Sequence, residues 1–144
     1  MARFSAGDLT DAGSTTLPII SVYAGATGGG RVREIGVTNT TATAVALKVV
    51  RLSATGTQGA DLAEVKHDPN SGPALCTCVG THTVTAANTD LGYRTVLGAA
   101  IGSGVIWTFG DTGLVFDTGT TNGIGVMVEN GTGQACQAYI VWDE

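Results

Sequence analysis

The sequence predicts an all-β protein: an antiparallel β-sandwich, jelly-roll-like in its connections, with about eight strands. Three observations carry that expectation. No stretch of a dozen residues keeps apolar positions at i, i+3, i+4 and i+7 without a Gly or Thr interrupting, so helical signals are nearly absent. Short runs rich in β-branched and aromatic residues recur along the chain instead. Clusters of Gly, Asn, Asp and Thr separate those runs, which is the punctuation of a sandwich or barrel.

The 144 residues suit one domain, and a domain of this size buries roughly 68–70% of the surface its unfolded chain exposes. Residues 1–16 read as an N-terminal arm or a first edge strand, and 17–144 as a single sandwich domain. The first clear strand is 17–24 (LPIISVYA), ended by the flexible turn GATGGG at 25–30. Segments 31–39 (RVREIGVTN) and 43–53 (TAVALKVVRLS), joined by Thr40-Thr41-Ala42, predict a hairpin. Further strands are expected at 75–79 (ALCTC), 94–97 (RTVL), 105–109 (VIWTF) and 113–117 (GLVFD). Segments 123–130 (GIGVMVEN) and 135–142 (ACQAYIVW) predict a second hairpin across Asn130-Gly131-Thr132-Gly133, where Gly tolerates positive φ. In this pair Ile124, Val126 and Val128 share one face, as do Cys136, Ala138, Ile140 and Trp142, and the two faces are expected to meet in the core.

Two long irregular segments remain, 53–75 and 80–93. Loops of this length generally bind something or cover a surface. The first is the leading contact loop; its alternative role is a crossover between the two sheets of a jelly roll. Charged residues make up only 13% of the chain, against about 25% in an average soluble protein. So little charge suggests that part of the surface is covered by copies of the chain or by a partner. The net charge is −5 with only two lysines, Lys48 and Lys66, which leaves no basic footprint for nucleic acid or anionic lipid. The start, MARFSAGDLTDAG, lacks the apolar core of a secretory signal, and no run approaches membrane-spanning length. Synthesis in the cytoplasm, with no membrane partner, is the expectation.

The stretch GDTGLVFDTGTTNGIGV holds Asp-Thr-Gly twice, at Asp111 and Asp117. The second copy looks like the active-site loop of an aspartic protease, whose chemistry needs two carboxylates sharing a proton. Five residues of extended chain hold these two carboxylates roughly 20 Å apart, so one chain makes no dyad. A homodimer supplying one Asp117 from each copy is the alternative, but only 27 residues follow it and the last strands use most of them. The simpler reading is that both copies are turns at the ends of one strand. No phosphate-binding loop is present, because Gly102-Ser103-Gly104 leads into Val105, Ile106 and Trp107. His67 and His82 sit in polar loops without a second ligand at useful spacing, so they read as solvated and no metal or other cofactor is expected. Cys76 and Cys78 point to the same side of a strand, about 6.5 Å apart at their α-carbons, and Cys136 is an odd third thiol. Buried free thiols are the simpler expectation; an intermolecular disulfide among Cys76, Cys78 and Cys136 is the sharper one.

The segments RVREIGVTNTTATAVALKVVRL, EVKHDPNSGPALCT, LGAAIGSGVIWTFGDTGLVF and AYIVWDE resemble, in texture and order, small β-rich structural proteins of tailed bacteriophages. The resemblance spans most of the chain and brings no catalytic motif. It implies a non-enzymatic capsid decoration, or cement, protein: a homo-oligomer, a trimer by preference, that binds the outer surface of the major capsid protein lattice. In that reading Arg3 and Phe4 of the arm, and His67, Asp68 and Pro69 of the long loop, grip the shell, while Tyr139 and Trp142 are core or subunit contacts. A tail or baseplate component that binds a host-surface glycan is the alternative. Exposed aromatic residues would favour it, and only Tyr93 lies in an evident loop.

Overall fold

The computed structural model describes residues 1–144 as eleven strands and no helix. They are β1 (Arg3–Leu9), β2 (Ile20–Tyr23), β3 (Gly30–Asn39), β4 (Val45–Leu52), β5 (Val65–Lys66), β6 (Thr77–Val79), β7 (Asn88–Leu97), β8 (Gly104–Thr108), β9 (Leu114–Phe116), β10 (Gly123–Asn130) and β11 (Cys136–Asp143). The first sheet has the order β5-β1-β11-β3-β8, with β9 continuing beside β3; the second has the order β6-β2-β10-β4-β7. All pairings are antiparallel, and the sheets pack face to face as a β-sandwich.

Setting aside the short β5, β6 and β9, eight strands pair as nested couples: β1 with β11, β2 with β10, β3 with β8, and β4 with β7. First with last and second with second-last is the jelly-roll arrangement expected from the sequence. It also corrects both expected hairpins. β3 and β4 lie in different sheets, as do β10 and β11, so each short connection crosses from one sheet to the other. The buried Asn39 braces the first crossing: its Nδ2 donates to the Thr43 and Gly98 carbonyls at 2.7 and 3.1 Å, and its Oδ1 accepts from the Thr41 N–H at 2.9 Å. Alternation marks which face of a strand is apolar but does not name its hydrogen-bonding neighbour. The faces still meet as expected, across the sandwich: Ile124, Val126 and Val128 share one core with Cys136, Ala138, Ile140 and Trp142.

Residues 3–9 are not a free arm. β1 is paired on both sides, by β11 and by β5, and it sends Phe4 and Ala6 into the core. β7 begins six residues earlier than expected, at Asn88. Its polar first half is an outer strand bulged at Gly92, where φ is +83°.

The long segment after Ser53 is a crossover. It bridges Thr57 to Val84 and Asp61 to Val79, and Leu62 N–H donates to the Cys78 carbonyl at 2.8 Å, before β5 joins the edge of the first sheet. With residues 80–87 it roofs the outer face of the second sheet, where Tyr23, Val50, Leu52, Val79, Ala86 and Met127 form a second apolar cluster. Tyr23 Oη donates to the Ala54 carbonyl at 3.0 Å beneath this roof. The roof corrects the expectation for His82, which is 1% exposed, lies against the Tyr23 ring and has neither ring nitrogen hydrogen-bonded. Burial lowers its pKa, with the Thr55 backbone opposing in part.

Candidate contact surface

Strand alternation sends Arg3 of β1 and Asp143 of β11 to the outward side of the first sheet, and the register sets them opposite one another. Arg3 Nε donates to Asp143 Oδ1 at 2.6 Å and Nη2 to Oδ2 at 3.0 Å, a two-point clamp. Arg31 pairs with Asp143 in the β3–β11 register, and Arg33, at the bulge in β3, brings its Nε within 3.5 Å of Oδ2. The Arg3 hydrogen bond outweighs burial and, with the charges of the three arginines, holds the Asp143 carboxyl below the usual carboxylate range.

β5 carries the long loop to the same corner. His67 N–H donates to the Arg3 carbonyl at 2.9 Å, and His67 Nε2 lies 3.2 Å from Ser5 Oγ. Asp68 Oδ1 accepts from the Asn70 N–H at 2.9 Å, closing a turn that leaves Pro69 exposed. Arg3, His67, Asp68 and Asp143, with Met1, Ala2 and Ser71, line an open depression of about 390 Å³. Two chain segments more than sixty residues apart thus converge on one site. Phe4 is the exception and the correction: alternation turns it inward, where it is 1% exposed and stacks on Trp142 at 5.9 Å between ring centroids. It is a core residue.

Beside this corner, the outward face of the first sheet is laid out in rows across β1, β11, β3 and β8. They read Ser5–Val141–Glu34–Thr108, Gly7–Tyr139–Gly36–Ile106 and Leu9–Gln137–Thr38–Gly104. The Tyr139 ring lies down over Gly36, where any Cβ would overlap Cε1. Its hydroxyl donates to Glu34 Oε1 at 2.6 Å. Burial, then the Glu34 hydrogen bond and charge, push the phenol up to about 12. Shallow depressions of about 290, 520 and 640 Å³ all have Tyr139 in their walls. Tyr93, expected in a loop, lies on β7 with its ring edge-on to Phe109 at 5.0 Å.

The other candidate chemistry is dispersed. Asp111 and Asp117 stand exposed at opposite ends of β9, so the two carboxylates form no dyad within one chain. Cys76, Cys78 and Cys136 are all free and buried within the chain, the simpler of the two expectations for them. Burial raises all three thiols, Cys136 to about 11 and Cys76 to about 12, so little reactive thiolate forms. No group of three His, Cys, Asp or Glu side chains is placed to hold a metal ion.

No family model matches the chain, and neither the curated proteins nor the solved structures contain a significant match to it. What sequence reasoning missed is the arginine group around Asp143 and the Tyr139 face. The signal was present at the outward positions of β1, β3 and β11, which carry Arg3, Arg31, Arg33, Glu34 and Asp143 at one end and Ser5, Gly7, Gly36, Thr38, Gln137 and Tyr139 beyond it.

Proposed function

We propose that this protein is a virion structural protein of a tailed bacteriophage: a capsid decoration protein, synthesised in the host cytoplasm. It binds the outer surface of the major capsid protein lattice as a homo-oligomer, by preference a trimer. The observation that carries this reading is the convergence of Arg3, His67, Asp68 and Pro69 on one exposed corner. They are four of the five residues the resemblance to phage structural proteins nominates for gripping the shell; the fifth, Phe4, is in the core. A jelly roll hosts many functions, so the fold alone does not choose among them. The low charge content of 13% supports a surface destined for protein contacts.

The corner is built to present side chains. The Asp143 clamp holds Arg3 on β1, and the His67 N–H bond to the Arg3 carbonyl fixes His67 just beyond β5, which limits the ordering cost of binding. Cosedimentation of the purified protein with major capsid shells of its phage tests the reading. His67→Ala combined with Asp68→Ala is expected to weaken shell binding about tenfold or more while leaving the fold intact, since both side chains are exposed. Failure of the unaltered protein to bind the shells would overturn the proposal.

A tail or baseplate protein that binds a host-surface glycan is the second reading, favoured by one observation. Tyr139 presents a flat ring on an open sheet face, flanked by Gln137, Thr38 and Glu34, and sugar rings stack on such platforms.

A further inference from the structure

We propose that copies of this chain associate through the outward face of the first sheet. The inference deepens the oligomer part of the reading above, but it stands on the sheet and not on the virion. The two outer faces of the sandwich are treated differently by the chain. The second sheet's is roofed by the protein's own long segments, with Val50, Leu52, Met127 and Tyr23 buried beneath them. The first sheet's is bare. Across its three rows Glu34 is the sole charged side chain, while Ile106, Leu9 and the adjacent Val65 of β5 are 63%, 53% and 59% exposed. A broad face this poor in charge marks a contact site.

Two features fit a second copy as its occupant. The first is extent: four strands at about 4.8 Å, with five residues of each at about 3.4 Å, give a flat footprint of roughly 330 Å², to which the short β5 adds Val65. Side-chain relief enlarges this area, within the smaller class of protein interfaces that associate weakly. The depressions around Tyr139 are shallow and open, whereas a small-ligand site encloses most of its guest. The second feature is charge. Arg3 pairs with Asp143, and Arg33 reaches both Asp143 and Asp111, so Arg31 is the one arginine of the group without an ion-pair partner, a positive charge at the end of the face next to Glu34. Each copy can offer its Glu34 to the arginine group of its neighbour, whether two copies or three close the ring.

Sedimentation equilibrium of the purified chain, with no shell present, is the test. The wild-type protein is expected at a multiple of 14.5 kDa. Ile106→Glu, on the face, is expected to weaken association about 100-fold, with an unchanged circular dichroism spectrum. Val96→Glu, equally exposed but on β7 of the other sheet, should leave the mass unchanged. A wild-type monomer at about 100 μM, or an Ile106→Glu protein with wild-type mass, overturns the proposal. So does a monomer whose Tyr139 resonances shift when neutral hexoses are added, an outcome that assigns the face to a glycan. Because mass and shell binding are read separately, an oligomer that ignores the shell refutes the decoration reading and leaves this one standing.

Discussion

Phe4 and His82 both look, in the sequence, like polar-loop or arm residues open to solvent, and both are sealed in. For Phe4 the cause is alternation along β1, which makes its neighbours Arg3 and Ser5 the outward pair. For His82 the cause is the roof over the second sheet, which buries its ring against Tyr23 of the second apolar cluster. The consequence is a pH dependence with a definite sign. The folded pKa of His82 lies below the unfolded value of 6.5, so the unfolded chain binds the extra proton first. Stability is full above pH 6.5 and is lost as pH falls from there toward the folded pKa. The Asp143 contribution, whose folded pKa lies below 3.8, is lost only in a second, more acidic window. Melting curves should therefore show a decline below pH 6.5 that His82→Leu removes, and a later one that it retains. An identical decline in both proteins would show that His82 does not titrate on unfolding.

At the scale of elements, β1 is the sharpest test of how the sandwich is held. It lies between β5 and β11, and Phe4 covers Trp142. Deleting residues 1–9 removes an aromatic contact whose truncation alone costs about 3–5 kcal/mol in a core, along with a whole ladder of backbone bonds. The shortened chain is expected to lose cooperative unfolding by urea; an arm would leave the midpoint unchanged. β1 was hard to read because RFSAGDL buries only Phe4 and Ala6, too few for an alternation signal. β2, β4, β10 and β11 were legible because each keeps an apolar face over most of its length, and β3 because β-branched residues recur along it even though the bulge at Arg33 switches its inward set. Partnership was not legible. A jelly roll sends successive strands to opposite sheets, so short connections that look like hairpins at Thr40–Ala42 and Asn130–Gly133 are crossings. The contact corner was half legible for the same reason: Arg3 and His67 were nominated separately, and only the β1–β5 pairing joins them.

Over the whole molecule, the candidate chemistry is dispersed. The thiols are buried, the Asp-Thr-Gly copies are separated turns, and Arg3, His67 and Asp68 meet at one corner beside a charge-poor face. In the account proposed here that corner meets the shell and that face meets other copies. The most direct measurement is quantitative mass spectrometry of purified particles of the source phage, comparing copies of this chain with copies of the major capsid protein. The account predicts a number equal to, or a simple fraction of, the capsid protein's; a handful of copies per particle, or none, would contradict it.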